Sequence, residues 1–381
     1  MDAGPADVSQ AEGEATEADN GLSASNGLST SNGLSTSNGL STSNGLSTSN
    51  GLSTSNGLST SNGLSTSNGL MMSANGRHIA KYIAKCALGS GMTLTKTTSD
   101  GTFSFPGAVG VAQGWYGNSC DAACQEKISA CMMALINRDG RHVAVEMVSA
   151  DPALGMIGPT GDDVNFPNQE GAVFGSLFGA TVQAFSCTGT ESNKGPQVKR
   201  YCMNDAGCGI FTKVGSCASA CTQTFTTGPG GKKVYSATSC KDPSGKIWSH
   251  PITTFVRNRM EAGNNDGSQG TLSNASFSVN FLDGGDWFRM NDVQFGAVAG
   301  AIKTLEITAS STTSGNIVEA RLDSVTGPLL GSITTASTGA DNIFAVRRGA
   351  VDSRGITGRH SVFFTVKGGI DAGNISFVEL K

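Results

Sequence analysis

All ten cysteines of the chain fall in one window: Cys86, Cys120, Cys124, Cys131, Cys187, Cys202, Cys208, Cys217, Cys221 and Cys240. An even number at this density points to a disulfide framework and an oxidising compartment. It also divides the chain into three. An acidic start and a repeat precede the cysteines, and a cysteine-free stretch of alternating apolar residues follows them. At 381 residues the chain is long enough for two domains and a tail.

The first nineteen residues hold six acids and no base, which predicts a solvated, disordered tail. From Asn20 to Leu70 the hexad Asn-Gly-Leu-Ser-Thr-Ser recurs almost unchanged, with no charged residue. A period of six invites a β-helix. However, one Leu per unit buries little, Asn-Gly favours turns, and Ser/Thr hydroxyls compete for the backbone. Residues 1–70 are therefore expected to be a disordered acidic tail and a repeat linker, whose repeat spans about 40 Å as a coil.

Residues 71–256 are expected to form a small disulfide-rich α+β domain. Ile79, Tyr82, Ile83 and Cys86 recur at helical spacing. A second helix is predicted after an Asn118 or Ser119 cap, with Cys124, Ile128, Cys131, Met132 and Leu135 on one face. Cys86 and Cys131 are expected to bridge the two helices. Residues 142–148 alternate as a strand, 172–178 suggest a short helix, and 181–187 suggest a strand. The rest of this part is expected to be turns stapled by cysteines. The spacing of Cys120/Cys124 and Cys217/Cys221 also suits a metal on a helix, but disulfides explain the same residues more simply. His142 and Glu146 share a strand face, which is expected to be solvated, and Asp162-Asp163 sit in a loop. His78 and His250 stand alone, and surface or capping roles are expected for both. No catalytic motif joins any of these residues.

After Arg257 short alternating runs appear, split by Gly, Asn, Asp and Ser. Strands are predicted at 275–281, 287–290, 303–309, 316–322, 329–335, 342–346, 361–366 and 377–380. That pattern means an antiparallel β-sandwich over residues 257–381. Val318, Ala320 and Leu322 point inward on one strand, which leaves Glu319 and Arg321 outward.

This stretch resembles the family 6 carbohydrate-binding modules, the cellulose-binding type IV-like jelly rolls. The resemblance rests on Met260-Glu261-Ala262, on Phe281-Leu282-Asp283-Gly284-Gly285-Asp286-Trp287, on Arg321 to Gly331, on Val366-Lys367-Gly368-Gly369 and on Asn374-Ile375-Ser376-Phe377. It implies a glycan site at the loop end of the sandwich, with Phe281 as one ring of an aromatic clamp and Asn374 on the sugar hydroxyls. The partner Trp of that clamp falls at Asp341, so half the clamp is replaced. The resemblance also implies a second site on an exposed sheet face, with Trp287 as its aromatic and Glu319 and Arg321 alongside. A structural calcium is implied at Glu261, but Gly263 and Ser376 replace its companion ligands. No other cofactor is expected.

The resulting fold class is multidomain: a disordered repeat tail, a small disulfide-rich α+β domain and a C-terminal all-β jelly-roll sandwich. The expected function is non-catalytic polysaccharide binding by the sandwich, which targets the attached cysteine-rich domain. Two alternatives stay open: a secreted hydrolase with catalysis in residues 71–256, and a structural or adhesive surface protein. Lys and Arg are nowhere clustered, so nucleic acid is not an expected partner. No apolar run is long enough to span a membrane. A monomer outside the cell is expected, although Met1-Asp2-Ala3-Gly4-Pro5 shows neither the basic start nor the apolar core of a secretory signal.

Overall fold

The computed structural model describes residues 17–20, 74–136, 143–151, 166–178, 182–189, 211–227, 233–256, 258–274, 278–296, 298–369 and 372–381, with isolated positions at 64, 71 and 154. The remainder of the acidic tail and hexad repeat, with His142, Asp162, Asp163, Cys202 and Cys208, lies outside the described residues.

Two long helices, a one-turn helix at Cys217–Ala220 and three sheets build the described first part. Helix α1 (Ala74–Ala87) buries Ile79, Tyr82, Ile83 and Cys86, and Lys85 in its last turn complements the helix dipole. Helix α2 (Ala122–Ala134) is capped by Asp121 itself, whose carboxylate accepts the Cys124 N–H at 2.8 Å. The cap therefore falls two or three residues later than the sequence suggested. A disulfide joins Cys86 to Cys131 across the two helices. A second joins Cys120 to Cys124 around the α2 cap.

The strands of this part are β1 (Glu17–Asn20), the hairpin β2 (Thr93–Thr98) and β3 (Gly101–Pro106), β4 (Val143–Val148), β5 (Asn168–Ser176), β6 (Gln183–Thr188), β7 (Thr212–Ser216), β8 (Cys221–Thr227), β9 (Lys233–Lys241), β10 (Ile247–Trp248) and β11 (Ile252–Val256). Six of them form one sheet in the order β1-β4-β11-β5-β6-β7, and three form another in the order β10-β9-β8. Residues 17–20, assigned above to the tail, thus pair along the edge of β4. An open edge offers unpaired backbone groups, and a short extended segment satisfies them.

The helix expected at 172–178 is a strand instead. Val173 faces the helices while Ala172 and Phe174 face the three-stranded sheet, so both sides are buried. A strand covered on both faces shows a continuous apolar run, which periodicity alone does not distinguish from a buried helix. The region expected to be stapled turns likewise contains β7 to β11. Its disulfides, Cys187–Cys217 and Cys221–Cys240, lie against a core of Phe174, Ala237 and Trp248.

The second part is a sandwich. Strands β12 (Asn258–Glu261), β14 (Leu272–Asn274), β15 (Ser278–Leu282), β17 (Thr304–Ser310), β20 (Ala345–Ala350) and β22 (Gly373–Leu380) make one sheet. Strands β13 (Ser268–Gln269), β16 (Trp287–Gln294), β18 (Ile317–Leu322), β19 (Leu329–Thr334) and β21 (Arg359–Lys367) make the other, in the order β13-β16-β21-β18-β19. Between them lie Phe288, Met290, Leu305, Ile307, Val318, Val362, Phe364 and Val378. The rings of Phe288 and Phe364 stack at 5.0 Å. The strand expected at 342–346 begins only at Ala345, because Asp341 and Asn342 form a turn.

One residue separates β11 from β12, and Asn258 stitches the join. Its side-chain oxygen accepts from Asn168 Nδ2 (3.1 Å) and from the Gln294 N–H (3.0 Å), and its amide donates to Gln294 O (2.8 Å). Replacing Asn258 with Ala would leave these buried groups unpaired. We expect Asn258→Ala to cost about 1–3 kcal/mol in urea unfolding.

Candidate functional site

The turn before β16 aims Trp287. Asp286 accepts the Asp283 N–H at 2.8 Å, and Gly284 and Gly285 donate to Gly369 O and Val366 O. A Cβ on Gly284 would lie 2.2 Å from Gly368 O, so the backbone approach requires glycine there. The Asp-Gly-Gly-Asp run is therefore a lock that fixes where the next residue points.

From Trp287 onward the inward residues are Phe288 and Met290, so Trp287 and Arg289 face outward. On β21, Val362, Phe364 and Val366 are buried and Phe363 faces outward. On β18, Val318 and Ala320 are buried and Glu319 and Arg321 face outward. Strand register aligns these residues into two rows. One runs Gln269, Trp287, Thr365, Glu319, Ser332, and the next runs Arg289, Phe363, Arg321, Leu329. The rings of Trp287 and Phe363 lie 5.3 Å apart at 51°. The indole N–H donates to Gln269 Oε1 at 3.0 Å, which holds the ring in place.

Glu319 and Arg321 form an ion pair at 2.8 Å, and Thr365 donates to the same carboxylate oxygen at 3.4 Å. The Arg321 hydrogen bond holds the Glu319 carboxyl below the usual carboxylate range against the opposing effect of burial. Arg321 also donates to Gly327 O at 2.9 Å. A Cβ on Gly327 would lie 1.8 Å from Leu322 O, so the Thr326-Gly327-Pro328 turn depends on its glycine. The Arg321-to-Gly331 motif thus serves chiefly to form a turn that braces Arg321. The arrangement as a whole is a partly exposed pair of tilted aromatic rings edged by fixed polar groups.

The loop end is different. Asn374 is 7% exposed, and its amide donates to Asp341 O at 2.9 Å. Ser310 donates to the same carbonyl at 2.5 Å. The adjoining hollow, lined by Leu282, Ser310, Asn316 and Asn374 among others, measures about 10 Å³, which is room for a water at most. Asn374 therefore ties down the Asp341 turn and is not open to a hydroxyl. The side chain of Phe281 lies outside the described residues. Beside this turn Ile343 and Phe344 are 54% and 39% exposed.

The calcium positions named above are only partly described. Ser376 donates its hydroxyl to Thr308 O at 3.2 Å, and Gly263 has no side chain. The side chain of Glu261 lies outside the described residues. The sulfurs of Cys187, Cys217 and Cys221 cluster, but all three are in disulfides and offer no thiolate.

Among the other candidates, Glu146 is 2% exposed and not on a solvated face, because the other side of its sheet is also covered. His250 is not isolated. Its Nδ1 meets Asp151 Oδ2 at 2.5 Å, and its backbone N–H donates to Glu126 at 2.7 Å. The side chain of His78 lies outside the described residues.

The sequence reading missed Phe363, Thr365, Gln269 and Arg289. Phe363 was accessible to it, since it occupies an outward position in a run whose alternate residues are plainly core. Gln269 was not, because its strand is two residues long and carries no pattern.

Residues 262–380 match the model of the family described as carbohydrate binding module (family 6). Two curated relatives are both named arabinoxylan arabinofuranohydrolase. That of Bacillus subtilis (strain 168) is 37% identical over 90 residues, covering 24% of this chain and 17% of its own length. That of Paenibacillus polymyxa is 36% identical over 101 residues, covering 26% and 15%. The chain thus spans about a sixth of the length of these relatives. A solved family 6 module from Clostridium cellulolyticum, in complex with xylose, is 31% identical, with 33% of this chain and 97% of that one covered and a TM-score of 0.29.

The Glu319–Arg321 pair carries a pH signature. A carboxyl whose pKa is lowered by folding contributes stability above its unfolded value, near 4.5, and loses it as pH falls through the folded value. Glu319→Gln is expected to cost about 1 kcal/mol or less at pH 7. That cost should begin to shrink as pH falls below about 4.5 and vanish only below the lower folded value, as read from urea midpoints across pH.

Proposed function

With residues 262–380 a family 6 carbohydrate-binding module, we propose that the chain binds a polysaccharide through the outward face of the β13-β16-β21-β18-β19 sheet, without catalysis by the module. The single observation that carries this reading is the partly exposed Trp287–Phe363 pair, held by the Gln269 hydrogen bond on one side and edged by Glu319 and Arg321 on the other. Sugar rings have apolar C–H faces that stack on aromatic planes, and their equatorial hydroxyls need fixed polar partners. Trp287 supplies the plane. Glu319 keeps its charge, and only one of its oxygens is engaged by Arg321 and Thr365, so the other can accept a hydroxyl.

Binding is assigned to the sheet face and not to the loop end, where Asn374 is occupied and the hollow is water-sized. The module's role is to bring the cysteine-rich part to a glycan surface, and the disulfides fit a protein working outside the cell. The names of the curated relatives put xylans first among the ligands to try.

Affinity electrophoresis and calorimetry of the full chain against xylan, β-glucans and cellulose test this reading. Trp287→Ala is expected to weaken binding at least about tenfold, or about 1.4 kcal/mol, with an unchanged thermal midpoint. Asn374→Ala is expected to do the reverse, lowering stability by about 1 kcal/mol with little effect on affinity. Retention of the Trp287→Ala variant equal to that of the parent would remove the assignment.

A further inference from the structure

We propose that this sheet face prefers acidic saccharides, and that Arg289 seats the carboxylate of a uronic acid unit beside the aromatic floor. The inference rests on the carbohydrate reading above and adds the class of sugar.

The charges on the sheet do not cancel. Arg289 and Asp292 stand on β16, Arg321 and Glu319 on β18, and Arg359 and Lys367 on β21, so these strands carry four cations against two carboxylates. Arg321 and Glu319 neutralise each other at 2.8 Å. Lys367 is exposed and acts on Glu319 only through space. Arg289 has no carboxylate within ion-pair distance among the described residues. The opposite sheet is arranged otherwise. There Arg348 and Lys381 both pair with Glu306, at 2.7 and 3.0 Å. The aromatic sheet thus carries a positive excess in a chain whose net charge is −4.

Arg289 is also held in position. Its backbone N–H donates to Gly267 O at 2.9 Å, its carbonyl accepts the Asp266 N–H at 3.0 Å, and its Nε donates to Asp266 O at 3.0 Å. A Cβ on Gly267 would lie 3.0 Å from that Nε, and Gly267 has φ +154°, so glycine there leaves room for the guanidinium. The Asp266 carboxylate is turned to the Asn291 N–H at 2.9 Å. With Nε engaged by a neutral carbonyl, the two terminal amino groups of Arg289 keep their full charge and their donors. That fork matches a carboxylate bidentately.

The geometry then selects the ligand. Arg289 lies two residues from Trp287 on the same side of β16, about 7 Å along the strand. It lies directly across from Phe363. A sugar stacked on Trp287 has its neighbour or side branch at that distance. A carboxylate there gains a preordered cation at low entropic cost, whereas a neutral hydroxymethyl in its place gains far less.

The test uses the full chain and two probes, a linear neutral xylo-oligosaccharide and the same oligosaccharide bearing one glucuronate branch. Titration calorimetry at about 50 mM and about 300 mM NaCl is expected to give the acidic probe at least about a fivefold advantage at low salt. That advantage should shrink at high salt, as screening predicts. Arg289→Gln should bring the two probes within about twofold of each other, and Arg289→Lys should keep part of the advantage because it keeps the charge without the fork. Folding of each variant is checked by its thermal midpoint. Equal affinities for the two probes in the parent would overturn the acidic preference and leave the carbohydrate reading standing. An undiminished advantage in both Arg289 variants would overturn the role of Arg289. Failure of the parent to bind either probe, or any polysaccharide of the panel, would overturn both readings together.

Discussion

The stacked rings of Phe288 and Phe364 decide the character of the whole sheet face. They sit at neighbouring positions on β16 and β21 and are fully buried between the two layers. Because side chains alternate strictly along a strand, burying these two rings forces Trp287 and Phe363 outward. A slip of one residue in β16 would place an indole and a guanidinium in the core, and one in β21 would place Thr365 there. The outer aromatic pair is therefore a geometric consequence of the inner one. No separate stabilising force is needed to keep Trp287 and Phe363 at the surface.

Glycines then set the edges of that face. Gly284 admits the carbonyl of Gly368, Gly327 admits that of Leu322, and Gly267 makes room for the guanidinium of Arg289. Each contact fixes one polar or aromatic side chain of the face through the backbone that carries it. The face is held by two close backbone approaches, one glycine that accommodates a guanidinium, and one alternating core, which leaves its side chains little freedom to lose.

Much of this was legible in the sequence, for identifiable reasons. The alternation in 287–290, 316–322 and 361–366 is strong because one side of each strand meets the core and the other meets water. The orientation of Glu319 and Arg321 follows from the same parity. By contrast, the run 172–178 misled because β5 is covered on both faces and so loses its alternation. The cysteine-rich half hid five strands because Ser and Thr interrupt the apolar pattern of β7 to β9, β10 is only two residues long, β11 is buried throughout, and the core beside them is completed by half-cystines. At the loop end, the sequence showed Asp341 where an aromatic was expected but gave no sign that its carbonyl would engage Asn374. Hydrogen bonds between distant loops leave no local pattern. The partner of Arg289 was invisible for the same reason: a backbone carbonyl is present at every residue and marks none.

The join at Asn258 has a mechanical meaning. A single residue lies between β11 and β12, and Asn258 next to it is hydrogen-bonded both to Asn168 of the cysteine-rich sheet and to Gln294 of the sandwich. Asn168 belongs to β5 and Gln294 to β16, so one amide ties a strand of the cysteine-rich sheet to a strand of the sandwich, and a change at that single side chain is felt on both sides of the join.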